Sequence, residues 1–351
     1  MPDVDEGALQ RGPELGAGGQ GWVYRVTGQP EPTAYKKYKD PGRANPDALL
    51  ALIDLPDTLE MSERDRLHGQ TAWPRTRVYD QGRLSGFLMR EIPAQYMGPN
   101  TAGKSILRVL EFLLYQPRPM WGGIIPAAGV DVQTRIEVAR EFSALMALLH
   151  AKALVVGDVS MRNVLWAGAD GEPATIFLID CDGIRQVGKA PVMPQPETPD
   201  WNDPDQSPSG PDLDSDRYKL ALLVGRVLSC QAYIHPGKDS LSLPPDLPDR
   251  MRTRVESLWQ QAARPHGQRP DANQWQQALS NRHEIAVSTP QVRERYPQGI
   301  DKAPVFRPDT GPRPSIAVTP STTRPAPAAS PVAPPAQRPS IPIRPPQSPT
   351  P

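Results

Sequence analysis

Cysteine and histidine are scarce: the 351-residue chain has two of the first and five of the second. Cys181 and Cys230 are too few for a disulfide framework, and a reducing cytoplasm is the expected compartment. The histidines show no metal-ligand spacing. Neither charge is in surplus, since Lys+Arg and Asp+Glu number 39 each. That excludes the global basic field that would argue for nucleic acid. No apolar run approaches the ~20 residues of a spanning helix, so no membrane span is expected. The opening residues are acidic and polar and do not read as a signal peptide.

Proline is abundant. There are 45, and they crowd the end of the chain. From about residue 290 the sequence is rich in Pro, Ala, Ser, Thr and Arg and has few large apolar side chains. Such a segment cannot bury enough surface to offset its chain entropy. Residues 286–351 are therefore expected to be a disordered tail with polyproline-II character. Pro339, Pro342 and Pro345 recur at that helix's three-residue period. A solvated spacer and a docking ligand are both open.

Chemistry concentrates in three stretches upstream. Leu15-Gly16-Ala17-Gly18-Gly19-Gln20-Gly21-Trp22-Val23 contains G-x-G-x-x-G-x-V. A dinucleotide fingerprint should follow a strand and open a helix. Here β-rich Trp22 to Val26 follows instead, then a Gly/Pro turn and a second strand, Thr33 to Tyr38. That strand carries Ala34-Tyr35-Lys36-Lys37. Alternation sends the two lysines to opposite faces, and the A-x-K pattern selects Lys36. Further on come Asp158-Val159-Ser160-Met161-Arg162-Asn163 and Ile179-Asp180-Cys181-Asp182. An Asp, an Asn five positions later and an Asp closing an apolar strand form the layout a phosphoryl-transfer site needs.

These motifs, in this order, resemble the protein kinases over roughly residues 10–282. More closely, the chain resembles a bacterial subgroup of kinase-like proteins with Ala72-Trp73-Pro74, Gly86-Phe87-Leu88-Met89, Gly157-Asp158 and Ile179 to Asp182. Members often occur beside a metal-dependent protein phosphatase and a von Willebrand-type protein, which the resemblance implies as partners. It also implies an α+β, two-lobed kinase-like fold over residues 10–285. The β-rich N-lobe would span 10–92 and the helical C-lobe 93–285, after a flexible 1–9. The implied cofactors are ATP and Mg2+, with a protein as substrate. Asp158 would accept the substrate proton, and Asn163 and Asp180 would hold the metal. Lys36 would position phosphates. Gly16, Gly18, Gly21, Val23, Ala34, Met89 as gatekeeper, and Glu91 and Ile92 at the hinge would line the nucleotide. Thr198 to Asp205 resembles the end of an activation segment, Asp216 the aspartate of the large C-lobe helix, and Arg269 the partner of Asp205.

Helical spacing predicts helices over 57–70, 132–150, 213–231 and 248–263. Glu60, on the first, is the expected ion-pair partner of Lys36, with Glu63 as rival. His150 reads as structural. One competing motif is Gly98-Pro99-Asn100-Thr101-Ala102-Gly103-Lys104-Ser105, which satisfies the P-loop pattern. No buried strand leads directly into it, so it reads as the loop and helix start past the hinge.

Three departures from the family affect mechanism. Val156-Gly157 replaces His-Arg, which removes the usual receiver of a phosphate on Thr198. Ser160 replaces a lysine, for which Arg162 is the expected charge substitute. Asp180-Cys181-Asp182 replaces Asp-Phe-Gly. Because of these, a pseudokinase or ATP-binding scaffold, and an aminoglycoside/choline-type phosphotransferase, stand as alternatives to a Ser/Thr protein kinase.

Overall fold

Alternation along six short strands produces a sheet with two different faces. The computed structural model describes residues 3–126, 128–168, 172–194 and 198–280. The chain divides into Met1–Ile285 and Ala286–Pro351. The Pro-rich segment lies outside the described residues.

The first half contains β1 (Val4–Asp5), β2 (Gln10–Ala17), β3 (Gly21–Thr27), β4 (Thr33–Tyr38), α1 (Pro46–Asp54), α2 (Met61–Gln70), β5 (Pro74–Asp80) and β6 (Arg83–Arg90). The sheet order is β1-β5-β6-β4-β3-β2. Register aligns Val23, Lys36 and Phe87 across three strands and sets Ala34 beside Met89. These share one face with Tyr38, two residues on from Lys36. The other face buries Val26, Tyr35, Val78 and Leu88 under Leu9 and Tyr24.

Within the segment 1–9, expected to be flexible, Val4 and Asp5 are instead built into this sheet. β1 pairs in parallel with β5. Glu6 accepts from Lys37 Nζ at 2.6 Å, Ser85 Oγ at 2.6 Å and Tyr35 Oη at 3.0 Å. The segment is held by a charge that the opposite-face lysine satisfies.

The helix expected over 57–70 is α2, which begins at Met61, and a further helix, α1, precedes it. Asn45 opens α1 by accepting from the amides of Asp47 and Ala48, with Pro46 in the first turn. A tight turn over Leu55–Thr58 then leads to α2. The Trp73 indole donates to Leu52 O at 2.8 Å and ties α1 to the sheet.

The second half contains β7 (Met97–Pro99), β8 (Ser105–Leu107), α3 (Val132–Ala151), β9 (Leu154–Val155), β10 (Val164–Ala167), β11 (Thr175–Leu178), β12 (Arg185–Gln186), α4 (Leu213–Ser229), α5 (Asp249–Gln261) and α6 (Ala272–Ala278). α3 packs on α4 and α6. Phe142, Leu145, Met146 and Leu149 from α3 and Leu220, Leu223, Val224 and Val227 from α4 belong to a core continuous with the sheet's inner face. Gly98 to Ser105 is neither a P-loop nor a helix start. β7 and β8 pair as a hairpin, with Lys104 O accepting from Asn100 N at 2.9 Å. Lys104 is exposed on it. A P-loop needs a helix N-terminus after its lysine, and a strand follows here.

Candidate active site

The loop between β9 and β10 carries Asp158 and Asn163. Gly157 bends it at φ +78°, a conformation other residues rarely adopt. Asp216, fully buried in the first turn of α4, accepts from the amides of Val156 at 2.7 Å and Gly157 at 2.8 Å. Lys219, one turn later, donates to Gly157 O. His150 meets Asp216 at 3.3 Å, in keeping with a structural role. One helix therefore grips Gly157 by both its N–H and its C=O. The position that lacks an arginine side chain is held by its backbone.

Both oxygens of Asp158 are engaged. Asn163 Nδ2 donates to Oδ2 at 2.8 Å and to the Asp158 carbonyl at 2.9 Å. Thr198 Oγ1 donates to Oδ1 at 2.7 Å. Thr198 is thus a hydrogen-bonded neighbour of Asp158. β10 and β11 form a hairpin, and Ile179 N donates to Asn163 O at 2.9 Å. This brings Asp180 alongside the loop.

Asp180 adopts the left-handed conformation, φ 57° and ψ 39°, and a tight turn follows over Cys181–Gly183. The turn sends alternate side chains apart. Cys181 goes into the core, where its thiol donates to Leu178 O. Asp180 turns to the opening, with 54% of its side chain exposed, and Asp182 is wholly buried. Lys36 Nζ reaches both, Asp182 Oδ1 at 2.6 Å and Asp180 Oδ1 at 3.3 Å. Burial alone would pull the Lys36 pKa down. The charges of Asp182 and Asp180 outweigh it and hold the ammonium form well above its ordinary range.

Glu60, expected to pair with Lys36, does not. It is exposed at the start of α2, where its backbone N–H donates to Glu63 Oε2. Glu63, the rival, pairs with Lys152 at 2.7 Å. Arg162 does not join the site either. It is 71% exposed and lies 3.8 Å from Glu111. Arg269 is shared among three carboxylates. Asp203 takes two hydrogen bonds, and Asp205, the expected partner, lies at 3.2 Å with 55% of its side chain exposed. Asp214 is also at 3.2 Å.

The glycine loop is the β2–β3 turn, closed by Gly18 N donating to Gly21 O at 2.9 Å. Its glycines differ in role. A Cβ on Gly21 would meet Lys37 O at 2.5 Å, so packing requires that glycine. A Cβ on Gly16 or Gly18 would meet open space, and the Gly18 carbonyl accepts from Lys39 Nζ at 2.6 Å. Ala34 and Met89 are buried on the inner face beside Lys36. Ile92 packs on the core, and the Glu91 carboxylate is engaged by Arg25 Nε at 2.9 Å.

Among the described residues no cluster of three His, Cys, Asp or Glu side chains could hold a metal unaided. Asn163 spends its amide nitrogen on Asp158, which leaves its carbonyl oxygen for other use. One amide oxygen and one exposed carboxylate form a hard-oxygen set. They fit an ion such as Mg2+ that takes its remaining ligands from phosphates and water.

No family model matches the sequence, and no curated protein does. Many solved structures match. One is the kinase domain of Mycobacterium tuberculosis PknI, crystallised as a double mutant. It is 18% identical with a TM-score of 0.52, and the match covers 80% of this chain and 97% of that one. The chain has the protein kinase fold. The β1–β6 sheet is the N-terminal half of that fold, and α3 to α6 belong to the helical half. The Lys36 ion pairs join the two halves. No helix among the described residues is long and apolar enough to cross a membrane.

Three residues that hold this arrangement together escaped sequence reasoning. Lys219 and Asp203 gave no signal beyond being charged residues near recognisable motifs. Asp182 did give one, in its Asp-x-Asp spacing.

Proposed function

We propose that this chain is an ATP- and magnesium-dependent phosphotransferase acting on Ser or Thr hydroxyls of proteins in a signalling system. The observation that carries the reading is one continuous set of contacts. It runs from Thr198 through Asp158 and Asn163 to Ile179, and from the adjoining Asp180 to Lys36.

In this reading Asp158 is the base. Asn163 and Thr198 each fix one carboxylate oxygen, which orients the group, and its remaining lone pairs accept from the substrate hydroxyl. That oxygen bonds to the γ-phosphorus, its proton passes to Asp158, and the bond to the β-phosphate oxygen breaks to release ADP. Lys36 neutralises charge on the phosphates. Gly16 and Gly18 let the backbone lie over them without a side-chain clash. Asn163 and Asp180 would hold magnesium, which offsets phosphate charge when bound. A protein substrate is supported by the Thr198 to Asp205 segment and its anchoring by Arg269. The resemblance adds a protein phosphatase and a von Willebrand-type protein as proposed partners.

The test is incubation of purified protein with γ-labelled ATP and magnesium, with and without cell lysate, beside Asp180→Ala. Labelled protein bands that vanish in the variant are expected. Label found only in small molecules would favour the aminoglycoside/choline-type activity. Nucleotide binding without transfer would leave a pseudokinase.

A further inference from the structure

The carboxylate that holds Lys36 is not on a helix. Asp182 lies two residues beyond Asp180 in the same tight turn, wholly buried, and takes the shorter of the lysine's two ion pairs. The side chains turned toward it come from two elements. From β4 these are Lys36, which donates to it, and Tyr38, buried on the same face two residues on. From the turn itself it is Asp180, which shares Lys36. The two aspartates differ in kind. Asp180 is exposed, has the poorer contact and is needed at the metal. Asp182 is wholly buried, and among the described residues Lys36 is the cation paired with it.

We propose that Asp182 is the positioning residue that fixes Lys36 for the nucleotide phosphates, the role expected of Glu60. Asp180 is the exchangeable partner. When a nucleotide binds, a phosphate oxygen takes over the contact that Asp180 makes, and the Asp182 contact persists. The lysine is thereby tied to the turn that carries the metal-binding aspartate. Its orientation does not depend on where α1 or α2 lies. Movement of one short turn would misplace the phosphate lysine and the metal carboxylate together. This inference rests on the phosphotransferase reading above.

The experiment uses full-length protein and two readouts. The first is thermal stability without nucleotide, measured for Asp182→Asn, Lys36→Met and the double variant. Pairing predicts that the double variant loses less than the sum of the singles. Additive losses would overturn the pairing. The second is calorimetric binding of ATP with magnesium, and of adenosine. Asp182→Asn should weaken ATP binding about tenfold, the worth of one charge-assisted hydrogen bond. Adenosine binding should stay within about twofold, because it has no phosphates for Lys36 to meet. Asp182→Glu should recover part of the loss, and Glu60→Ala and Glu63→Ala should bind as wild type. Equal weakening of ATP and adenosine would mean that Asp182 is merely structural. An ATP loss in Glu60→Ala matching that of Asp182→Asn would return the role to the helix. If Asp182→Asn fails to fold, Asp182→Glu supplies the same ATP-against-adenosine comparison. Wild-type protein that binds neither ligand would refute the phosphotransferase reading, and the orienting role with it. The stability cycle would still report on the ion pair alone.

Discussion

Thr198 donates its hydroxyl hydrogen bond to Asp158 across forty residues of chain, at 2.7 Å. The threonine of the segment that resembles an activation segment therefore supports the carboxylate that would act as base. A phosphate there would set up to about two further negative charges against Asp158, and Gly157 stands where the family's arginine would receive them.

Thr198→Glu should consequently lower kcat at least about a hundredfold, since like charges meet at the reacting carboxylate. Thr198→Ser should stay near wild type, and Thr198→Ala should fall between. Steady-state kinetics on phosphatase-treated protein would show the order. An inactive dephosphorylated enzyme that regains activity on phosphorylation of Thr198 would reverse the conclusion.

Lys36 and Lys37 should part company. Lys36→Ala removes the only buried ammonium among the inner-face residues named here and should weaken ATP binding at least about tenfold. Lys37→Ala should leave ATP binding unchanged. Its cost should appear in the melting temperature, because Glu6 loses its cation. Calorimetry and thermal melts on both variants separate the two.

Glu6 makes stability pH-dependent. Burial raises its pKa, but hydrogen bonds from Lys37, Ser85 and Tyr35 outweigh this and leave it below the usual glutamate value. A depressed carboxylate stabilises the fold fully above its unfolded pKa, and the contribution is lost as pH falls through the folded value. Glu6→Gln should therefore cost about 2 kcal/mol at pH 7 and much less at pH 3, measured by urea unfolding at both. A loss independent of pH would mean that packing of the side chain matters and its charge does not.

Asp203→Ala should cost about 3–5 kcal/mol, because it strands the buried Arg269 guanidinium without its main partner. Asp205→Ala should cost under about 1 kcal/mol, as expected for a solvent-exposed member of the network. Denaturant titrations of the two variants rank them.

Lys104→Ala should leave ATP turnover within a few-fold of wild type, since the residue is exposed on the β7–β8 hairpin. A loss as large as that of Asp180→Ala would contradict the hairpin's passive role.

What the sequence determined by itself was local. Strand alternation separated Lys36 from Lys37, and the structure sends the second to Glu6. Helical spacing located α3 within one residue of its ends. The glycine pattern located the β2–β3 turn, because backbone freedom is a property of each residue. α1 was legible and overlooked: Asn45-Pro46 is a cap and first turn, with Leu49 and Leu52 behind it as a buried pair. Tertiary structure alone decided which charges meet. Spacing along the chain cannot tell Glu60 from Asp182 as the partner of Lys36, when Asp182 lies 146 residues away. Nor can it tell Asp203 from Asp205 as the partner of Arg269. Ion pairs draw their strength from burial, and burial follows from how the sheet and the helices close on each other.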